Sequence, residues 1–450
     1  MISRKVLQSI GSFSQPLQAA PCKVCVDSRN LQSGDLFFAI PGARTDGHHY
    51  LEQAAKGGAV GAVINANFRG PIPQHLPVLR VDDTLSSLQA LAREAVRQLN
   101  PTVIAVTGSY GKTTTKEFVA SFLSLRHKTA ATPGSQNSQI GLPMSILNTL
   151  RPDTPYLVVE MGMDQAGGIR RLTKIAPPDI ALITTIGLAH AENFENFADI
   201  AHAKAEVFEH PKTSICLYNA DSPHADILDT KAKRDKRTFS MHEKSDAFWS
   251  LSIENEMLFI TEASAVFQLP CPKFTSPHVY ENLLAAIAAA RSAGVNWEDI
   301  EHSLSSLKLP ERRLEPISLG NIHFINDSFN ASEVPTRSAL TVLSTYTPSR
   351  RVAVIGQMLN LGRFSHECHY RVGLHALTSA DALYCIGKEC ETVVNVWKDA
   401  GRPVYWTLSL EELTEQLKQD LREGDVVLLK GSRSNHLWKI LDAFVGEPVV

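Results

Sequence analysis

The chain has 450 residues, 44% of them hydrophobic and 20% charged, with a formal net charge of -3. That length suits two or three domains with cores of their own, and the near-neutral balance gives no electrostatic ground for a nucleic-acid partner. No window approaches the roughly 18 uninterrupted apolar residues of a membrane span, so none is expected.

In chain order, residues 1–13, MISRKVLQSIGSF, begin basic but lack a sustained apolar stretch and a small-residue cleavage site. A secretory signal is not expected, and the expected location is the cytoplasm. Cys22 and Cys25 form a C-x-x-C without a second pair at zinc-like spacing. They read as ordinary strand cysteines more readily than as a metal or redox pair, and the odd total of seven reads as reduced thiols. Residues 1–98 read as a mixed α/β domain, closed by the Asn100-Pro101 punctuation.

From 99 to 310, short β-rich runs (VIAV at 103, YLVVEM at 156, IALITTI at 180, ICLYN at 215) alternate with amphipathic stretches such as TTTKEFVASFLSL. That alternation predicts a parallel sheet covered by helices on both faces. The prolines and charges of LKLPERRLEP, 307–316, end it. From 311 to 450, RVAVIG, ALYCIG and VVLLKG each stop at glycine, with SHECHYRVGLHAL and SLEELTEQLKQDL as helices. This predicts a small open, Rossmann-like sheet with ligands at the carboxyl ends of its strands. The fold class expected is therefore α/β in three domains.

The chemistry is concentrated in VTGSYGKTTTKE. A strand, a turn bracketed by Gly108 and Gly111, and a helix beginning Lys112-Thr113-Thr114 aim several N–H groups and a helix dipole at one point. Lys112 supplies a charge for β and γ phosphates, and the Thr113 hydroxyl is placed for magnesium. A full Walker pattern needs glycine where Val106 stands, so this is a shortened variant. Glu160 ends the next strand, where a second magnesium ligand is needed, although a helix-capping role is the alternative. His190 follows a further strand in the same way and, taken alone, reads more readily as a structural histidine than as a metal ligand.

Taken in order, VTGSYGKTTTKE, VVEMGM, IGLAHAENF and IAHAKAEVF resemble the ATP-dependent Mur ligases, which build the peptide stem of bacterial cell-wall precursors. The resemblance covers nearly the whole chain. DSRNLQSGDLFFAIPGARTDGHHY from Asp27 is similar to that family's uridine-nucleotide domain, SPHVYENLLAAIAAA to its adenine-site helix, and KGSR at 430 to a loop of its last domain. EMGM followed by GGI, NDSFNAS at 326–332 and GQMLNLG at 356–362 resemble the members that add D-alanyl-D-alanine to a UDP-N-acetylmuramoyl-tripeptide. The D-N-P-R-like pocket of members adding the third stem residue is not found. Ser135 and Ser138 replace two asparagines of a G-N-x-N-N segment in which Asn137 remains; Phe329 replaces a tyrosine, Ser332 an asparagine and Asn360 a glutamate.

The resemblance implies that ATP activates the tripeptide carboxylate as an acyl phosphate, which the dipeptide amine then attacks. It implies two Mg2+ ions, with Thr113 on the first and Glu160, His190 and a carbamylated Lys204 on the second. Without the resemblance, Lys204 reads as a solvated helix lysine near Glu209. Gly108, Ser109, Gly111, Lys112, Thr113, Thr114 and Asn137 would hold the phosphates. Asn282 would read the base, Arg313 the phosphates, and Asp327 the ribose, with Asn330 in the same pocket. Ser28, Arg29, Thr45, Asp46 and Gly47 would meet the uridine diphosphate end. His369 and the Lys430–Arg433 loop match family positions without an assigned role. Closure about 307–316 and a monomer are expected. The alternatives still open are a sibling ligase (the third-residue enzyme or a folylpolyglutamate synthase) and a phosphate-loop ATPase acting as a switch.

Overall fold

The computed structural model describes residues 4–43, 45–242, 246–347 and 350–445; the outer ends of the first and last sequence units, 1–3 and 446–450, lie outside them. Three sheets organise the chain. The first runs β1 (Val24–Cys25), β2 (Leu36–Phe38), β3 (Gly61–Asn65), β4 (Val78–Val81), in that order and all parallel. Phe37 and Phe38 are fully buried on opposite faces of β2, as the two-residue period of a strand requires when both faces are covered.

The helix Thr84–Leu99 leads out of this sheet. The Asp83 carboxylate caps it by accepting the Ser86 N–H (2.7 Å), and Asn100 in the left-handed region (φ 45) ends it. Its Leu88, Leu91, Ala92 and Ala95 stripe packs into a core continuous with the next sheet. Asn148 pins the two together: its side chain accepts the Val24 N–H (2.8 Å) and donates to the Val24 carbonyl (3.0 Å).

The second sheet comprises β5 (Thr102–Thr107), β6 (Thr129–Ala131), β7 (Tyr156–Glu160), β8 (Ile180–Ile183), β9 (Ile215–Asn219), β10 (Asp235–Ser240), β11 (Trp249–Glu254), β12 (Met257–Glu262) and β13 (Ala265–Pro270). Their order is β13-β12-β11-β10-β9-β8-β5-β7-β6. The expected parallel sheet needs correction, because β12 pairs antiparallel with β11, and β13 antiparallel with β12. β11 and β12 meet across a tight turn at Asn255-Glu256 (φ 49 and 61), and β12 and β13 across another that contains Ala263 (φ 55), so they can pair locally without a crossover helix. IALITTI is also strand only as far as Ile183. The helix Lys112–Ser124 packs beside Pro277–Ser292 on one face of the sheet.

The chain leaves β5 toward β7 and β6 on one side and returns to β8 on the other. That reversal opens a crevice at the carboxyl end of β5, where the phosphate-loop motif sits.

The third sheet has the order β14-β15-β19-β16-β17-β18, from β14 (Glu315–Leu319), β15 (Ile322–Asn326), β16 (Arg350–Gly356), β17 (Ala382–Ile386), β18 (Val404–Thr407) and β19 (Asp425–Lys430). Only β14 is antiparallel. This sheet turns its carboxyl ends toward the phosphate loop. The Glu192 N–H donates to the Asn360 carbonyl (3.1 Å), and the Ser276 and Ser338 hydroxyls meet at 3.0 Å. All seven cysteines are free thiols.

Asn148→Ala removes both bonds to Val24 and strands two peptide groups at the seam. It is expected to lower stability by about 1–3 kcal/mol, read as a lower denaturant midpoint; an unchanged midpoint would show that the seam is held by its apolar contacts alone.

Candidate active site

β5 delivers the chain into the turn at Gly108, whose φ of 142 and proximity to Thr184 admit no side chain: a Cβ would lie 2.0 Å from the Thr184 hydroxyl. Gly111 starts the helix at φ 77, where a Cβ would lie 2.0 Å from Asn282 Oδ1. Glycine is thus required at both ends of the loop. Its middle is clamped from the side. The Thr184 hydroxyl donates to the Tyr110 carbonyl (2.5 Å), and Ser109 Oγ donates to the Gly187 carbonyl (2.7 Å) and accepts the Gly187 N–H (2.8 Å). Lys112 Nζ curls onto the carbonyls of Gly108 (2.9 Å) and Ser109 (3.2 Å). Burial pushes its ammonium below the ordinary lysine value; Glu160 opposes that and Arg313 adds to it.

Glu160, 1% exposed at the end of β7, accepts hydrogen bonds from the Thr113 hydroxyl (2.8 Å) and the Asn137 amide (2.6 Å). It caps no helix; its carboxylate faces the first turn of the phosphate-loop helix. The Thr113 hydroxyl and Glu160 carboxylate are hard oxygen donors of the kind magnesium takes. Among the described residues no cluster of three or more His, Cys, Asp or Glu could hold a metal. The pair therefore fits an ion that draws its remaining ligands from phosphate and water, as magnesium does.

His190 opens to the same cavity from a left-handed turn (φ 56). Its pKa is lowered to about 4, by the protein around it first and then by the charges of Lys112 and Lys204, with Asp164 opposing. The Asn360 amide nitrogen lies 3.5 Å from His190 Nδ1, which brings the two domains together at this side chain.

Lys204 is 2% exposed, and its ammonium has no hydrogen bond or ion pair among the described residues. The solvated-lysine alternative is thereby removed, and Glu209 pairs instead with Arg170 (2.7 Å) and Lys231 (3.7 Å). Burial, then Lys112, drives the Lys204 pKa far down.

From the last domain, Arg313 stacks over Phe329 at 4.4 Å, so phenylalanine supplies the aromatic face where the resemblance expects tyrosine. Asp327 is buried against Lys430 (2.7 Å), itself 1% exposed. Asn330 Oδ1 accepts the Ala331 N–H (2.9 Å), and Asn282 sits beneath Gly111 with Thr115 Oγ1 at 3.5 Å. These groups line one cavity of about 620 Å³ between the second and third sheets, with Lys112, Thr113, Thr114, Asn137, Glu160 and His190.

The first-domain candidates stand apart from it. Ser28 Oγ bonds Gln53 (2.9 Å), Arg29 is forked by Asp27, Thr45 meets the Tyr50 hydroxyl (2.9 Å), and Asp46 caps the Gly47–Tyr50 turn through the His48 N–H (3.0 Å). A Cβ on Gly47 would lie 2.7 Å from the Ile40 nitrogen.

Sequence reasoning left two residues without a role that the structure now gives them. Lys430 balances Asp327, and a lysine ending the buried run VVLLKG was the available signal. His369, fully buried, accepts the Met358 N–H on Nε2 (3.1 Å) while Nδ1 meets the Ser365 carbonyl (2.8 Å), fixing the Met358–Leu361 loop against the cavity. Thr184 was missed outright, because nothing local in the sequence distinguishes it from any strand-end threonine.

Residues 23–96 match the Mur ligase family catalytic domain, 106–290 the Mur ligase middle domain, and 312–433 the Mur ligase glutamate ligase domain. The chain belongs to the Mur ligase family. This Mur ligase is 33% identical over 460 residues to the UDP-N-acetylmuramoyl-tripeptide–D-alanyl-D-alanine ligase of Escherichia coli (strain K12), covering 98% of each chain. Its fold superposes on MurF from Acinetobacter baumannii with a TM-score of 0.84 at 28% identity, covering 98% of each. The corresponding values for MurF ligase from Thermotoga maritima in complex with ADP are 0.78 and 27%, covering 94% of this chain and 96% of that one.

Burial lowers the Lys430 pKa and Asp327 opposes the shift, so Asp327→Ala should cost this Mur ligase about 3–5 kcal/mol at neutral pH. A lysine depressed in the folded state binds fewer protons there than unfolded, so stability rises with pH between the depressed and ordinary values. The deficit of Asp327→Ala should therefore shrink as pH climbs toward about 10 in denaturant titrations; the same deficit at every pH would contradict this assignment.

Proposed function

We propose that this chain joins D-alanyl-D-alanine to a UDP-N-acetylmuramoyl-tripeptide at the expense of ATP, in the cytoplasm, during assembly of a peptidoglycan precursor. The observation that carries this reading is convergence: the phosphate loop, Glu160, His190 and the cationic side chains of the last domain all face one cavity. They do so in a chain that runs nearly the full length of ligases named for that reaction. Among the described residues, no helix is long and apolar enough to cross a membrane.

A carboxylate resists attack by an amine because its leaving group would be oxide. An oxygen of the tripeptide carboxylate therefore attacks the γ-phosphorus of ATP, the bond to the bridging oxygen breaks, and ADP departs. The dipeptide nitrogen then adds to the carbonyl of the acyl phosphate, loses a proton, and phosphate leaves with the former carboxylate oxygen. Both steps bring anions together. Lys112 and the loop N–H groups bind and neutralise the phosphates, and Arg313 approaches them from the opposite domain. Asn282, beneath the loop, would read the base; Asp327 and Asn330 would meet the sugar. Ser28, Arg29, Thr45, Asp46 and Gly47 form the outer station for the uridine diphosphate.

Thr113 and Glu160 would hold one magnesium ion, and Glu160, His190 and Lys204 a second. Such ions neutralise phosphoryl charge and polarise the reacting oxygens. Lys204 can take part only as a carbamate: its neutral Nζ adds to carbon dioxide, forming an N–C bond and releasing one proton. The absence of a counter-ion for that ammonium in a buried place supports this state, since an unpaired buried charge is costly.

Phosphate release measured with a coupled assay should require ATP, the nucleotide-linked tripeptide and D-alanyl-D-alanine together, and mass spectrometry should find the pentapeptide product. A switch ATPase would release phosphate regardless of the two peptides. A sibling ligase would turn over with a different amine.

A further inference from the structure

Four cationic side chains, Lys112, Arg313, Lys430 and Arg433, line the cavity. Three are engaged. Lys112 lies on the loop carbonyls, Arg313 stacks on Phe329 and feels Asp327 and Glu160, and Lys430 is bonded to Asp327. Arg433 is exposed, and its guanidinium has no hydrogen bond or ion pair among the described residues.

Its backbone is fixed all the same. Arg433 opens the turn Arg433–Asn435 just beyond β19, and the Asn435 N–H closes on the Ser432 carbonyl (2.9 Å). Ser432 Oγ donates to the Gln357 carbonyl (2.5 Å) and accepts the Leu359 N–H (3.2 Å). The loop that carries Arg433 is thus tied to the loop that carries Leu359 and Asn360, and Asn360 reaches His190. In the same cavity, Leu359 and Val334 leave large apolar side chains open, 39% and 36% exposed, and Leu359 is joined through its N–H to Ser432, the residue before Arg433. A rigidly mounted free guanidinium next to an apolar wall suits a small ligand with a carboxylate at one end and methyl groups along its length.

We propose that Arg433 holds the carboxylate of the incoming dipeptide, with Leu359 and Val334 against its methyl groups and its amine directed toward His190. This rests on the reaction proposed above and names the group that selects its second substrate. A guanidinium forks a carboxylate through two parallel N–H···O bonds, which fixes direction as well as position. A dipeptide bound the other way round would place an ammonium beside Arg433, and like charges repel.

The test compares D-alanyl-D-alanine with D-alanyl-D-alaninamide, whose carboxyl end is neutral, as amine substrates. The wild type should favour the free acid in kcat/KM by roughly 10- to 100-fold, the range of a charged hydrogen-bonded contact. Arg433→Ala should raise KM for the free acid by a similar factor and abolish the preference, with KM for ATP and for the nucleotide-linked tripeptide within about threefold of wild type. Arg433→Lys should recover part of the preference. If Arg433→Ala keeps the preference, or raises KM for ATP as much as for the dipeptide, Arg433 does not hold this carboxylate. Unchanged KM for ATP also shows that the variant is folded. A wild type that couples neither dipeptide would overturn the reaction itself, a failure separate from loss of the preference.

Discussion

More positive charge is buried around the phosphate loop than the neighbouring carboxylates neutralise. Lys112, Arg313 and Lys430 are each pushed down by burial, and the carboxylates that act on them are Glu160 and Asp327, two against three. Lys204, with Lys112 as its charged neighbour, is driven out of its ammonium form and adds no positive charge to this set. Enclosed charges without partners are expensive, and a fold that keeps them must recover the cost when something anionic enters. A polyphosphate and two carboxylate substrates supply that charge, and the same field favours the still more anionic arrangement of phosphoryl transfer. The charge imbalance is therefore the feature from which the chemistry follows.

The fold brings these cations together by delivering them from different sheets. Lys112 comes from the turn after β5, Arg313 from the approach to β14, and Lys430 from the end of β19. Each stands at or near a carboxyl-terminal sheet edge, where ligands meet backbone N–H groups and no side chains fill the space. The seam between the second and third sheets is small: Glu192 to Asn360, Ser276 to Ser338, the Asn360 amide near His190, and the half-buried Leu188, Leu314 and Phe364 packed against cores on both sides. Such a seam can open and close. The seam between the first and second sheets differs in kind, with a shared apolar core and the Asn148 tether, and is built to stay shut.

Much of this could be read from residue patterns, for identifiable reasons. Alternating strand and helix periods gave the parallel parts of the second and third sheets, because each buried parallel strand must be a short, nearly continuous apolar run. The loop glycines, Lys112, Thr113 and Glu160 were legible because phosphate chemistry fixes both residue type and spacing. The antiparallel strands β12 and β13 were passed over because they lie at the sheet edge, where only Leu258, Ile260 and Leu269 are buried and burial sets little of the residue pattern. Interactions that close only in three dimensions were also out of reach. No spacing rule links Thr184 to Tyr110, His369 to Met358, or Lys430 to Asp327, which lie 74, 11 and 103 residues apart in the chain. Two of the departures from the family pattern are likewise explained by contacts: Phe329 keeps an aromatic face for Arg313, and Ser138 Oγ accepts the Gly141 N–H at 3.1 Å to start the following helix.

The central claim is that the cationic cavity converts an inert acid into an acyl phosphate before the amide is made. Oxygen tracing addresses it most directly. With both oxygens of the tripeptide's terminal carboxylate replaced by the heavy isotope, each inorganic phosphate released during coupling should carry one labelled oxygen, and the new amide should keep the other. Unlabelled phosphate released while the amide forms would contradict the account.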